Sequence, residues 1–327
     1  MKATMKAMVQ DRYGGPEVLA LRDIDAPRVG DHDVRIRVRA SGLNAADWHL
    51  IRADPWPIRA MAGWLRPRVP SPGSDVAGVV ESVGAKVTLV KPGDEVMAEV
   101  QRGGLAELVV VNESLVAPRP KNVSFEQAAA VPMAGMTALQ GLRNEGRLQV
   151  GQRVLVIGAS GGVGTYAVQI ARALGAEVTG VTSTRNVELV RSIGAQHVID
   201  YTKEDVTTLG KTYDVVLDAV GNHPLSACAR LLTPTGRYVG VAAGGQGGLS
   251  DVMVRSIGMA VRSARSSQSM VSMLERRNRD DLLVLRDLVE SGAVKPVIER
   301  TYPLPEAAEA IRHLEGGHVR GKLVVTI

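Results

Sequence analysis

Hydrophobic and polar positions change period along this chain, and the changes mark out its elements. Residues 154–157 are apolar and mostly β-branched, which predicts a short buried strand. From Thr165 the apolar residues Ala167, Val168, Ile170, Ala171 and Leu174 recur at helical spacing, and Gly175 suits the helix stop. A second strand is expected over 177–181. Further strands over 198–200, 213–219 and 236–241 alternate with helical stretches, among them 222–232. This half of the chain therefore predicts an α/β domain, a parallel sheet with helices on both faces.

The earlier part has another texture. Residues 33–40 alternate apolar and basic side chains after the first position, the pattern of a half-buried strand. Strands are expected over 74–84, 95–100 and 105–111, separated by the turns Lys91-Pro92-Gly93-Asp94 and Gly103-Gly104. Short strands between Pro/Gly turns predict a β-rich, barrel-like domain that ends near Asn122. Ser124, with Gln127 three residues on, reads as a capping box at the head of an alanine-rich helix. Near the end, 280–292 predicts a helix with Leu282, Leu285, Leu288 and Val289 on one side. Residues 305–314 predict another with proline near its start, and 322–327 a last strand. This tail is expected to return to the first domain.

Composition narrows the class. A chain of 327 residues suits two domains, and 45% hydrophobic residues suffice for sizeable cores. The net charge of +5 comes from scattered residues of both signs, so no nucleic-acid partner is expected. No run of eighteen uncharged apolar residues occurs, so no membrane span is expected. The start, MKATMKAMVQDRYG, lacks an apolar signal segment. Cys228 is the only cysteine, which excludes an intrachain disulfide and a four-cysteine zinc site. A cytoplasmic location is expected.

The strand–glycine–helix–strand unit carries the first chemistry. In Gly158-Ala159-Ser160-Gly161-Gly162-Val163-Gly164, Ala159 takes the first position of a G-x-G-x-x-G turn. Gly161 lets a pyrophosphate approach the backbone, and Gly164 lets the helix pack close to the strand. Ser160, Gly161, Gly162 and Val163 are the candidate phosphate contacts, at a helix N-terminus with free N–H groups. Past the second strand, where an NAD site usually has an acid, the chain reads Thr182-Ser183-Thr184-Arg185-Asn186. Arg185 can pair with a 2′-phosphate, with Ser183 or Thr184 hydrogen-bonding to it, so NADPH is expected over NADH.

Several motifs in order, Gly73-Ser74-Asp75-Val76-Ala77-Gly78-Val79-Val80, Lys91-Pro92-Gly93-Asp94-Glu95-Val96, Ala129-Ala130-Val131-Pro132, Gly135-Met136-Thr137-Ala138 and the glycine turn, give the chain a resemblance. It resembles the medium-chain dehydrogenase/reductase superfamily, in its zinc-free quinone oxidoreductase-like branch (zeta-crystallin-like), over nearly all its length. The resemblance implies a GroES-like catalytic domain over 1–124 and again over 271–327, split around a Rossmann domain over 125–270. It also implies a cleft between them for cofactor and substrate, and a homodimer. Zinc members carry a cysteine in the region of Asn44-Ala45-Ala46-Asp47 and Gly-His-Glu where this chain has Gly73-Ser74-Asp75. A metal-free hydride transfer is therefore expected, and it favours conjugated carbonyls as acceptors over plain alcohols and ketones.

The resemblance also implies site residues. Asn44 matches an asparagine beside the nicotinamide, and Thr137 a position facing its amide. Tyr201 matches a tyrosine near the adenosine phosphate, and Lys322 a basic residue approaching the cofactor from the catalytic domain. Asp47, in the loop of Asn44, either orients Asn44 or caps the residues from Trp48. Residues 52–70, with Trp56 and Trp64, read either as a lid that stacks on a flat acceptor or as a helix packed by Ile58, Met61 and Leu65. The leading expectation is an NADPH-dependent reductase of a small electrophilic acceptor, a quinone or activated enone. The alternatives are a conjugated alkenal or enoyl thioester reductase, or a non-catalytic NADPH-binding protein.

Overall fold

Alternation of apolar and basic residues builds the longest strand of the first sheet. In Asp33–Gly42, Val34, Ile36, Val38 and Ala40 are buried, while Arg37 and Arg39 are exposed. The computed structural model describes residues 4–54, 59, 63–67, 71–241 and 249–327. In chain order the strands are β1 Thr4–Val9, β2 Ala20–Asp25, β3 Asp33–Gly42, β4 Asp75–Val83, β5 Glu95–Glu99, β6 Leu108–Asn112 and β7 Val116–Pro118. They continue with β8 Arg153–Ile157, β9 Glu177–Thr182, β10 His197–Asp200, β11 Tyr213–Asp218, β12 Leu232–Gly240, β13 Ser269–Ser272, β14 Ile298–Pro303 and β15 Lys322–Thr326.

The chain packs as two compact units. One comprises Met1–Ala134, Arg277–Gly292 and Pro296–Ile327, the other Gly135–Arg276 and Ala293–Lys295. In the first, a sheet runs β14-β15-β3-β4-β5-β7, with β6 also on β3, and β1 pairs with β2 beside it. The last strand does return to the first part of the chain: β15 lies antiparallel to β3. The helix Phe125–Ala129 lies on β3 and β4, so this unit runs past the boundary read at 124. Its capping box is formed as read, with Ser124 Oγ accepting from Gln127 N and Gln127 Oε1 from Ser124 N. Val34, Ile36, Val76, Val96 and Val109 fill the core of this sheet.

The second unit is a parallel sheet in the order β10-β9-β8-β11-β12-β13. The chain winds outward from β8 through β9 to β10, then crosses back to β11, so the strand order reverses between β8 and β11. In open α/β sheets the carboxyl ends of the strands at such a point hold the ligand. The expected helix from Thr165 starts earlier, at Gly162, and runs to Ala173, and Gly175 follows it with φ +80°. The helix expected over 222–232 is shorter, Leu225–Arg230, because Pro224 sets its N-terminus. β13 and the helix Leu249–Arg265 were not anticipated from the sequence. Met259 is buried on that helix, whereas Val254, Ile257 and Val261 form an exposed apolar row.

Gly164 is where helix and sheet come closest. A Cβ there would stand 2.1 Å from Gly158 O and 2.8 Å from Ala159 Cα, both backbone atoms with little room to move. Gly164→Ala is expected to cost about 1–3 kcal/mol through overpacking. Urea denaturation of the second unit, followed by circular dichroism, checks this; an unchanged midpoint would show that the helix shifts freely.

Candidate functional site

The residues singled out in the sequence fall into two groups, one in each unit. In the second unit, strand pairing assembles the glycine turn with the loops after β9 and β10. Thr182 and Asp200 are register partners, and Tyr201 N donates to Thr182 O at 3.0 Å. Ser160 Oγ accepts from Thr182 Oγ1 at 2.8 Å and from Asn186 Nδ2 at 3.0 Å. Both acceptor positions are then filled, which leaves the Ser160 proton as a donor. Asn186 Nδ2 also reaches Ser183 Oγ at 3.4 Å. Ser160, Ser183 and Tyr201 thus share one rim of carboxyl strand ends. Arg185 and Tyr201 are exposed there.

Gly161 is the N-cap of the helix Gly162–Ala173, with extended backbone. A Cβ on Gly161 would meet only Gly158 O, at 3.5 Å, an ordinary contact. Gly164 is therefore required by the fold and Gly161 is not. Two residues of this rim were missed in the sequence. Asn186 is buried, and its Oδ1 is a buried acceptor without a partner among the described residues. Asp200 is an acid at the strand ends that reading along the β9 loop alone overlooked. Its carboxylate accepts from Thr184 Oγ1 at 2.6 Å, Thr202 Oγ1 at 2.7 Å and Thr202 N at 3.1 Å. The Thr184 hydroxyl foremost, with Thr202 and Lys203, holds Asp200 down at about 2. Its oxygens are engaged by the protein's own donors, in keeping with a site that lacks a free acid.

Beside this rim, the loop after β11 is held from below. Asp218 Oδ1 accepts from Val220 N at 2.9 Å and Gly221 N at 2.8 Å, and Oδ2 from Tyr238 Oη at 2.6 Å. Arg255 donates to Tyr238 Oη at 2.8 Å and to His223 O at 2.9 Å. Cys228 is fully buried against this network, and burial pushes its thiol pKa up. Thr137 is buried in the helix Pro132–Gln140.

In the first unit, register creates the site. Gly42 of β3 pairs with Asp75 of β4 on one side and with Val324 of β15 on the other. Just beyond, Leu43 N donates to Leu323 O at 2.9 Å, and Asn44, Asp75 and Lys322 converge. Asn44 Nδ2 donates to Asp75 Oδ2 at 2.8 Å, and Lys322 Nζ donates to Asn44 Oδ1. Lys322 Nζ and Asp75 Oδ2 are 3.5 Å apart, with side chains 3% and 0% exposed. Met133 N donates to Asp75 Oδ1 at 3.1 Å. Burial raises the Asp75 pKa, and the Lys322 ammonium foremost opposes the rise. A lysine on a terminal strand reads as solvated by default; here it is part of a buried cluster, which only the β15–β3 pairing reveals.

Asp47 holds Asn44 and does not cap the residues from Trp48, because the helix begins at Ala45 and Asp47 is its third residue. Its Oδ2 accepts from Asn44 N at 2.8 Å, closing the capping box of the helix Ala45–Arg52, and its Oδ1 accepts from Ser74 Oγ at 2.8 Å. Burial, aided by the Asp75 carboxylate, pushes its pKa up to about 6, against the lowering effect of these two bonds and Lys322. Of the lid reading, Trp56, Ile58 and Met61 lie outside the described residues. Trp64 and Leu65 are 63% and 87% exposed. Trp48 packs partly buried against the cluster of Met8, Leu43, Ile51 and Leu323.

Among the described residues, no three His, Cys, Asp or Glu side chains gather to hold a metal ion. Residues 30–121 match the family described as alcohol dehydrogenase GroES-like domain, and residues 193–325 match that described as zinc-binding dehydrogenase. The chain is 38% identical to the NADPH-dependent alkenal/one oxidoreductase, chloroplastic, of Arabidopsis thaliana, over 98% of this chain and 79% of that one. It is 35% identical to the quinone oxidoreductase of Mus musculus, over 99% and 98%. The solved quinone oxidoreductase from Coxiella burnetii superposes with a TM-score of 0.87 at 31% identity, over 99% of this chain and all of that one. With relatives of this identity along its whole length, a GroES-like domain and a Rossmann-like domain, the chain belongs to the medium-chain dehydrogenase/reductase superfamily, in its zinc-independent quinone oxidoreductase-like branch.

Proposed function

We propose that this chain is an NADPH-dependent reductase of quinones and activated enones that works without a catalytic metal. The observation that carries the reading is Gly161, a helix-capping glycine that the protein's own packing does not call for. It leaves room for a phosphate against the first N–H groups of the helix. The chemistry around it fits NADPH: the Ser160 proton is left to donate, Asn186 Oδ1 is left to accept, and Arg185 and Ser183 stand where a 2′-phosphate would be recognised. The relatives named above are quinone and alkenal/one oxidoreductases.

Bound NADPH supplies the hydride. The chain supplies position and polarity. Asn44 offers an uncharged amide at the reacting end, and Asp47 fixes its backbone. The cation nearest Asp75 in this network, the Lys322 ammonium, is engaged by Asn44 Oδ1 and the Asp75 carboxylate. An amide N–H polarises a carbonyl less than a metal dication does, so acceptors already activated by conjugation are favoured. The 38% identity to an alkenal/one oxidoreductase supports a second reading, reduction of a conjugated alkenal by the same site. A homodimer belongs to the same reading, supported by the exposed row Val254, Ile257 and Val261.

An anaerobic panel of ortho- and para-quinones, enones, alkenals and simple ketones tests the function. Turnover of conjugated acceptors is expected, and turnover of simple ketones alone would reject the reading. Gly161→Val is expected to abolish NADPH binding while far-UV circular dichroism stays native, because the branched side chain takes the space of the pyrophosphate. Near-native affinity in a fluorescence titration would place the phosphates elsewhere. The preference for NADPH over NADH is expected at about 10- to 100-fold at low salt, from one charge-assisted contact. Arg185→Ala should remove most of it by weakening NADPH alone; an unchanged ratio of kcat/KM values would clear Arg185 of this role.

A further inference from the structure

The Asn44 side chain is held between two groups of opposite hydrogen-bonding character. Lys322 Nζ is a pure donor and sits on Asn44 Oδ1, while the Asp75 carboxylate, when ionised, is a pure acceptor and takes Asn44 Nδ2 at 2.8 Å. Exchanging the amide's oxygen and nitrogen would set N–H against ammonium and C=O against carboxylate. Either mismatch in a buried site is costly, because a group of the wrong sign replaces its partner. The amide therefore has one orientation. Asp75 is itself fixed from a third direction by Met133 N at 3.1 Å, and Asp47 fixes the Asn44 backbone. Of the two Nδ2 protons, Asp75 takes one.

We propose that Asp75 and Lys322 are positioning residues that lock the Asn44 amide in a single orientation, so that its second Nδ2 proton is always the group offered to the reacting pair. The inference rests on the reading of Asn44 as the amide at the reacting end. Lys322 adds a second effect. An ammonium on Oδ1 draws electron density from the amide and makes the remaining N–H a stronger donor. Neither residue needs to touch the acceptor for this.

A double-mutant cycle separates this role from a structural one. Asp75→Asn and Lys322→Gln are each made in the parent and in an Asn44→Ala background, and kcat is measured with a quinone acceptor at saturating NADPH. In the parent each is expected to lower kcat by about 10- to 100-fold, the scale of a misplaced or weakened donor. In the Asn44→Ala background each should change kcat less than about twofold, since residues acting through one partner are not additive. Equal losses in both backgrounds, no loss in the parent, or unfolding of both variants by circular dichroism would each overturn the proposal in favour of a structural ion pair.

A readout free of turnover accompanies the cycle. In cofactor-free protein with nitrogen-15 in its asparagine side chains, the Asn44 amide, assigned with Asn44→Ala, should show two widely separated proton signals, one of them on a carboxylate. Asp75→Asn should bring the two together; an unchanged pair would contradict the lock. If the parent reduces no conjugated acceptor, the functional reading fails while the amide signals still test the orientation. If the parent is active and the cycle is additive, only the positioning role fails.

Discussion

Asp75 and Lys322 can be buried together only if three strands find one register. They lie 247 residues apart in sequence, and their meeting requires β4 and β15 to flank the same end of β3. A one-residue slip in either pairing would turn one charge to the opposite face and leave the other buried alone. Removing one partner of a buried pair costs about 3–5 kcal/mol, whereas the intact pair adds little net stability. Its weight is thus in specificity. The pair ties the closing strand of the chain to the loop that carries Asn44, and the local order of Asn44, Asp47 and Ser74 follows from that register.

The second unit divides its labour differently. There the site is backbone first and side chains second. Gly164 answers to packing and Gly161 does not, and the two differ by where a Cβ would go. Around them, hydroxyl and amide groups from successive strand ends satisfy one another, so polar groups at the rim are held without charge. Asp200, the one acid in that network, stays ionised, with its oxygens taken up by Thr184, Thr202 and Lys203. A ligand anion there meets donors and not a free carboxylate.

Local signals made much of this legible. The capping box at Ser124, the glycine stop at Gly175 and the alternation of β3 are each written within a few consecutive residues, the parallel sheet in the strand–helix rhythm from 154 onward, and the structure forms them. What stayed hidden depends on partners distant in sequence. Nothing near Lys322 distinguishes a buried lysine from a solvated one, because the difference is made by β3. Asp200 is invisible from the β9 loop, because register and not sequence brings it to Thr184. Asp75 was legible only as a departure from the Gly-His-Glu of zinc members, and its role needed Asn44 and Lys322 in place. The helix Leu249–Arg265 was missed although its buried Met259 and exposed Val254, Ile257 and Val261 lie at helical spacing, since apolar residues on both sides blur the pattern.

The burial of Cys228 has a bearing on the company this protein keeps. Quinones and enones are Michael acceptors, and their usual fate near a protein is alkylation of an accessible thiolate. Nucleophilic attack requires the thiolate, and both access and ionisation decide its rate. This chain has a single thiol, fully buried, its pKa raised by that burial, with Sγ 3.8 Å from His223 O. An enzyme built this way handles thiol-reactive compounds while presenting no thiol to them.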